Sequence, residues 1–152
     1  MKSIILIGTA CAAVLGAAIV SNRIVAESSD APPPESPKFY ATRVTDILND
    51  NCLSCHDDTA KGNLRLDSFA ALLRGGKDDV AVKPGDSALS PLLERARLPA
   101  GDDDHMPPDG KPQLTAPEIA LLKWWIDAGA PETNTLGQLR PPPEILAALS
   151  AR

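Results

Sequence analysis

The sequence predicts a small, mainly helical domain, because its two strongest periodic segments both have the spacing of an α-helix. The first starts at Lys38, and its apolar side chains recur every three or four residues. These side chains are Tyr40, Val44, Ile47 and Leu48. The second opens with a capping box, Thr115 followed three residues later by Glu118, and ends at Gly129. It is apolar around most of its circumference, which predicts a buried helix.

Shorter elements are predicted between these two helices. Residues 68–74 should form a short helix with Asp67 as its N-cap. Pro84-Gly85 fits the central positions of a type II turn, where glycine supplies the positive φ. Ser90 is then the predicted N-cap of a helix that runs from Pro91 to about Ala96, since proline favours the first helical position.

The N-terminal region reads as a targeting segment followed by a spacer. An unbroken run of apolar and small residues from Ile4 to Val20 follows Lys2. Residues 1–26 are therefore predicted to be an export signal cleaved after Ala26, or an uncleaved membrane anchor. The proline-rich stretch 27–37 is predicted to be a stiff, extended spacer.

The folded domain is predicted to span residues 38–131, with a linker and a weak helical tail at 132–152. The full chain of 152 residues carries a net charge of −5. Cleavage after residue 26 removes Lys2, Arg23 and no acidic residue, which lowers the charge to −7. The sequence lacks the basic surface of a nucleic-acid-binding protein, and its acidity favours a basic or mixed protein partner.

The stretch Cys52-Leu53-Ser54-Cys55-His56 is the candidate functional motif. Two cysteines three positions apart, with a histidine directly after the second, form the attachment pattern of a covalent c-type haem. On a helix, positions i and i+3 lie on one side, so both thiols are placed to form thioethers with one porphyrin. His56 then becomes the proximal iron ligand.

Two other chemistries use the same atoms. A thioredoxin-type redox pair needs only the two cysteines, but it belongs to a βαβ context that the sequence lacks. A structural zinc site needs four ligands, and only His105 or a carboxylate remains after the three residues of the motif. We therefore interpret Cys52 and Cys55 as haem thioethers.

The sixth iron position has two candidate ligands, His105 and Met106, which are adjacent in the predicted loop 98–114. Met106 precedes two prolines that would stiffen the loop around its thioether. A soft sulfur ligand favours Fe(II) and raises the reduction potential relative to a second imidazole. Met106 is the predicted distal ligand, with His105 as a solvent-facing neighbour or, alternatively, the second imidazole.

The motifs between Val44 and Ala130 together resemble the class I c-type cytochrome domain of the planctomycete-type cytochrome c family. The matching segments are Cys52 to His56, Gly62 to Asp67, Gly75-Gly76, Pro84 to Asp86, Ser90, Met106 to Pro108, and Trp125 to Ala130. The resemblance implies a small all-α fold whose first and last helices cross beside one covalent haem c. It also implies that His56 and Met106 are the axial ligands.

The expected function is single-electron transfer between protein redox partners outside the cytoplasm, in the periplasm, as a free or tethered carrier or as a subunit of a larger membrane complex. No small-molecule substrate and no catalytic residue are evident. The alternatives are a haem peroxidase and a haem-based sensor or assembly module, both with a labile distal methionine.

Several other residues have two interpretations each. Arg95 and Arg97 either pair with haem propionates or belong to a solvated helix face. Trp124 and Trp125 either line the haem or docking surface or pack in the core, and core packing is favoured. Residues 102–104 form a hydrated acidic loop, with calcium binding as the minor alternative.

Overall fold

A computed structural model describes residues 38–77 and 79–150 of the chain. Within these ranges all regular structure is helical, which confirms the predicted all-α class. A π-helical segment, Tyr40–Val44, and a 3₁₀ turn, Lys61–Asn63, accompany seven α-helices in the described residues. The α-helices are α1 Thr45–Asn51, α2 Leu53–His56, α3 Phe69–Arg74, α4 Pro91–Arg97, α5 Ala116–Asp127, α6 Leu136–Leu139 and α7 Pro143–Ser150.

The predicted export segment and the spacer lie outside the described residues. Among residues 38–77 and 79–150, no helix is both long and apolar enough to cross a bilayer.

The first predicted helix forms as the π-helical segment followed directly by α1. All four side chains of its predicted apolar stripe are buried: Tyr40, Val44, Ile47 and Leu48. The periodicity therefore identified the correct face, because only residues three or four positions apart share one side of a helix.

Helix α5 has the predicted N-terminus. Thr115 Oγ1 accepts a hydrogen bond from the Glu118 backbone nitrogen, and the Glu118 carboxylate accepts one from the Thr115 backbone nitrogen at 2.8 Å. Its core face consists of fully buried side chains: Leu121, Leu122, Trp125 and Ile126.

Aromatic side chains join the N-terminal helical segment to α5. The rings of Tyr40 and Trp125 stack at 5.7 Å, and those of Phe39 and Trp124 meet edge to face at 5.3 Å. Trp125 also donates from Nε1 to the carbonyl oxygen of Pro131 at 3.0 Å. Trp125 is therefore buried in the core and the half-buried Trp124 packs against it, in agreement with the role favoured from the sequence. The predicted crossing of the first and last helices beside a haem stays a prediction.

The N-cap residue of α4 is Ser90, as predicted, whereas that of α3 differs from the prediction. Ser68, not Asp67, caps α3, since its hydroxyl accepts from the Ala71 backbone nitrogen at 3.2 Å. Asp67 instead forms an ion pair with Arg65 at 2.6 Å. Ser90 does precede α4, but its buried hydroxyl bonds residues upstream of the helix.

The Pro84-Gly85 turn forms as predicted and packs on α5. Asp86 donates its backbone nitrogen to the Lys83 carbonyl at 3.0 Å, and Gly85 has φ of 86°. The Ser90 hydroxyl accepts from the Lys83 nitrogen at 2.9 Å and donates to the Asp86 carbonyl at 2.8 Å. The Gly85 nitrogen donates to the Ile126 carbonyl at 2.7 Å, which fixes the turn against the end of α5.

The residues after Pro131 contribute to the same core. Helix α7 packs on α5 and buries Ile145 and Ala148. The Phe39 nitrogen also donates to the Asn134 carbonyl at 2.9 Å. The predicted helical tail is thus folded against the domain, which its short and proline-rich sequence did not indicate.

Candidate haem site

One cavity of about 550 Å³ brings the four predicted site residues together. Cys52, Cys55 and His56 line it from the end of α1 and from α2, and Met106 lines it from the long loop between α4 and α5. Its volume lies within the range of about 300–1,000 Å³ that is usual for cofactor sites.

A local distortion of the helix places the attachment motif at the cavity. The chain departs from ideal helical geometry at Cys52, where φ is −118° and ψ is −40°, and then resumes as α2. The backbone nitrogens of Cys55 and His56 both donate to the Cys52 carbonyl at 3.1 Å. The two half-buried thiols therefore lie within a single helical turn, on the side where both line the cavity.

The electrostatic environment keeps the Cys52 thiol neutral. Burial, and to a smaller extent the charge of Glu118, raises the pKa of Cys52 to about 12. A redox-active cysteine pair needs a thiol whose pKa is lowered, because the thiolate is the nucleophile. Cys52 is therefore a poor thiolate nucleophile at neutral pH.

Backbone contacts on both sides hold His56. Its Nδ1 lies 3.3 Å from the carbonyl oxygen of Leu64, and its own carbonyl accepts from the Leu66 nitrogen at 2.8 Å. A carbonyl can only accept, so Nδ1 carries the hydrogen, and Nε2 keeps its lone pair. Histidines that bind metals are usually fixed by such a contact.

Met106 is anchored through its backbone. Its nitrogen donates to the Arg95 carbonyl at 3.1 Å, so the loop is attached to α4 at the predicted ligand. The peptide bond to Pro107 is cis. The thioether side chain is half-buried and lines the cavity.

The expectation that His105 faces solvent is wrong. His105 is only 9% exposed, and its Nε2 lies 2.7 Å from Oε1 of Gln113. It lies outside the cavity lining, so the structure does not place a second imidazole beside His56.

Apolar side chains surround the four candidate ligands, and charged side chains lie among them. The apolar members include Leu64, Leu66, Leu92, Leu98, Leu114 and Leu122. The charged members are Lys61, Lys77, Arg95 and Lys111 together with Asp79, Glu94 and Asp104. Most of these residues have no local sequence signal, since they come from separate loops and helices.

The two arginines considered as propionate partners differ in position. Arg95 lines the cavity, and its Nη1 bonds Oδ1 of Asp104 at 2.7 Å. Arg97, Trp124 and Trp125 lie outside the lining.

The donor set fits a covalent haem. Two thiols within one helical turn, an imidazole with a free Nε2 and a thioether all line an apolar cavity of suitable volume. For zinc the set fits less well: within the described ranges, no three His, Cys, Asp or Glu side chains are grouped as metal ligands. The all-α fold and this site are those expected of a small c-type cytochrome domain.

Residues 52–110 match the family model described as Planctomycete cytochrome C. The predicted resemblance to a planctomycete-type cytochrome c domain is thereby confirmed over these residues, which include the attachment motif and Met106. This match indicates a haem-binding cytochrome c domain, and proteins with such domains bind haem covalently and transfer electrons. Comparisons with curated proteins and with solved structures find no match.

Proposed function

We propose that this protein is a monohaem c-type cytochrome that transfers single electrons between protein redox partners outside the cytoplasm. The observation that supports this most is that Cys52, Cys55, His56 and Met106 all line the same cavity. Haem c bound there supplies a one-electron Fe(III)/Fe(II) couple.

The cysteines are proposed to hold the cofactor covalently. Each thiol adds across one vinyl double bond of the porphyrin, forming a carbon–sulfur bond while the thiol hydrogen goes to the neighbouring vinyl carbon. This addition is redox-neutral. Since the sequence holds three cysteines and Cys11 lies in the proposed targeting segment, Cys52 and Cys55 allow one such haem.

His56 and Met106 are proposed to be the two axial ligands. His56 offers Nε2, because its Nδ1 is engaged by Leu64. When the protein fills both axial positions, no position is left for a substrate, which favours electron transfer over catalysis. The methionine thioether also stabilises the ferrous state and so raises the potential.

The partners are proposed to be other redox proteins, met either by a free carrier or by a domain tethered through residues 4–20. The protein would then be periplasmic, alone or within a larger membrane complex. The acidic net charge of −5 favours a basic or mixed docking surface on the partner and a rate that depends on salt. Nucleic acid and small-molecule substrates are not proposed as partners.

The attachment is tested with the full chain expressed together with haem-maturation machinery. Wild-type haem should resist extraction by acidified acetone, whereas C52S/C55S protein should release whatever haem it holds. Ser54→Ala is the matched control, because Ser54 lies between the cysteines and also lines the cavity. Freely extractable wild-type haem would refute the thioethers.

Electron transfer is distinguished from catalysis by optical and magnetic spectra of the purified protein. A carrier should be six-coordinate and low-spin in both oxidation states and should not bind carbon monoxide. Rapid carbon monoxide binding together with peroxide turnover would instead indicate a peroxidase, and a shift linked to ligand binding would indicate a sensor.

Export is tested by fractionating the native host. The protein should appear with periplasmic or membrane markers, and mass spectrometry of the intact chain should show whether cleavage follows Ala26. Recovery of the full-length chain with a cytoplasmic marker enzyme would contradict the proposed location.

A further inference from the structure

The side-chain amide of Gln113 lies at the centre of the loop that carries Met106. Its Nε2 lies 3.0 Å from the Pro107 carbonyl oxygen, 3.3 Å from that of Pro108 and 3.1 Å from that of Lys111. Three acceptors around one nitrogen fix the orientation of the amide, because only the NH₂ end can donate to them.

The other end of the amide bonds the residue before Met106. Gln113 Oε1 lies 2.7 Å from Nε2 of His105, so this Nε2 carries the hydrogen and donates it. His105 is itself buried, and its backbone nitrogen donates to the Asp102 carbonyl at 3.0 Å. One side chain thus bonds the loop on both sides of the candidate ligand.

The Gln113 hydrogen bonds compensate for the backbone N–H donors that the prolines of this loop lack. Pro107 and Pro108 have no backbone N–H, so this part of the loop forms fewer backbone hydrogen bonds than an ordinary turn. Loops of this length are commonly mobile unless side chains bind them. The contact from the Met106 nitrogen to Arg95 fixes one point, and the Gln113 amide fixes the residues on either side of it.

We propose that Gln113 is a positioning residue that keeps the Met106 thioether directed at the iron and slows its replacement by external ligands. This inference rests on the proposed function, in which Met106 is the distal ligand. Gln113 lies outside the cavity lining, so it acts through the loop and not by contact with the cofactor.

The test compares Gln113→Leu with Gln138→Leu in the full-length, haem-loaded protein. Gln113 is an exposed residue, so leucine is accommodated without disturbing the core. Gln138 is the chain's other glutamine and also forms side-chain hydrogen bonds, in the capping box of α6 and away from the cavity. It is therefore a control for the same chemical change.

The measurements are the ferric iron–thioether charge-transfer band and the rate at which cyanide binds the ferric protein. Loss of the amide bonds should weaken the band and speed cyanide binding by about threefold to tenfold, the effect of losing one or two net hydrogen bonds. Backbone hydrogen exchange at Met106 should also accelerate. Gln138→Leu should change none of these quantities.

Met106→Ala, measured in parallel, separates the two hypotheses. If Met106→Ala loses the band while Gln113→Leu matches wild type, the positioning role is overturned and the ligand assignment stands. If Met106→Ala keeps the band, the ligand assignment itself fails. If Gln113→Leu fails to acquire haem, the same measurements are made on the isosteric variant Gln113→Glu. This variant keeps the acceptor for His105 but loses the donors for the three carbonyl oxygens. Wild-type behaviour of Gln113→Glu would refute the proposal.

Discussion

Nδ1 of His56 lies 3.3 Å from the carbonyl oxygen of Leu64, eight residues further along the chain. This contact selects the tautomer that leaves Nε2 free to bind a metal. A second hydrogen bond joins the same segments, since the Leu66 backbone nitrogen donates to the His56 carbonyl oxygen at 2.8 Å. The segment after the attachment motif thus orients the candidate proximal ligand.

We expect His56→Gly to remove the proximal ligand and leave room for an external one. The covalently attached haem should become five-coordinate or bind water, and added imidazole should restore a six-coordinate, low-spin spectrum. The measurement is a titration with imidazole followed optically. Wild-type protein at the same imidazole concentrations is the control and should not change. Failure of imidazole to alter the variant would argue against ligation by His56.

We expect Met106→Ala to give a five-coordinate ferrous protein that binds carbon monoxide and has a lower reduction potential, because a thioether stabilises Fe(II). Potentiometric titration measures the shift. Leu114→Ala truncates another lining residue without removing a ligand, and it should keep the low-spin spectrum. An unchanged spectrum in Met106→Ala would transfer the ligand role to another residue such as His105.

The contacts of Asp127 predict a loss of stability in acid. The bonds from Lys123, at 2.5 Å, and from the Ser87 nitrogen, at 2.9 Å, lower the pKa of Asp127 from its ordinary value of 3.8 to about 2. A lowered folded-state pKa stabilises the fold above pH 3.8, and this contribution disappears as the pH falls through about 2.

Asp127→Asn should therefore lower the free energy of unfolding at pH 7 by about 0.5 kcal/mol, a small amount because the pair is solvent-exposed. The difference from wild type should shrink as the pH falls from 3.8 and vanish below about pH 2. Urea unfolding at several pH values measures it. Lys123→Met removes the largest cause of the lowered pKa and should make the unfolding free energy less dependent on pH in this range. A difference between Asp127→Asn and wild type that persists well below pH 2 would contradict the electrostatic explanation.

Two glycines with positive φ predict different costs for the same substitution. A Cβ on Gly75, where φ is 77°, would lie 2.3 Å from the Asp79 carbonyl oxygen and 2.5 Å from Val80 Cα. A Cβ on Gly85, where φ is 86°, would meet nothing within 4 Å among the described residues. Gly75→Ala suffers both backbone strain and overlap, and Gly85→Ala only the strain.

We expect Gly85→Ala to cost about 1–2 kcal/mol of unfolding free energy and Gly75→Ala at least about 1–3 kcal/mol more, because backbone atoms must move. Chemical denaturation of both variants gives the comparison. Equal losses of unfolding free energy in the two variants would show that the backbone near Asp79 moves away from the added Cβ at no cost.

Elements whose signals lie within a few residues could be predicted closely. The capping box fixed the start of α5, and the stripe from Tyr40 to Leu48 identified the buried face of the first helix. The turn at Pro84-Gly85 also formed as expected. Each depends on contacts between residues at most eight apart in the chain.

Two side-chain contacts could not be predicted in this way, because no periodicity, capping or turn pattern marks them. Ser90 is the N-cap residue of α4, but its hydroxyl bonds the backbone of Lys83 and Asp86 and not the first turn of the helix. His105 is buried because Gln113 bonds its ring, a contact with no local signature.

The sequence alone determined the chemistry that is available: two thiols and an imidazole at a fixed helical spacing, with a methionine held between a histidine and two prolines. Tertiary structure decided that these groups line one cavity, since Met106 comes from a loop fifty residues beyond His56 and reaches the wall through Arg95 and Gln113. Spacing along one helix is set by local geometry, whereas the approach of a loop is set by hydrogen bonds and packing that many distant residues share.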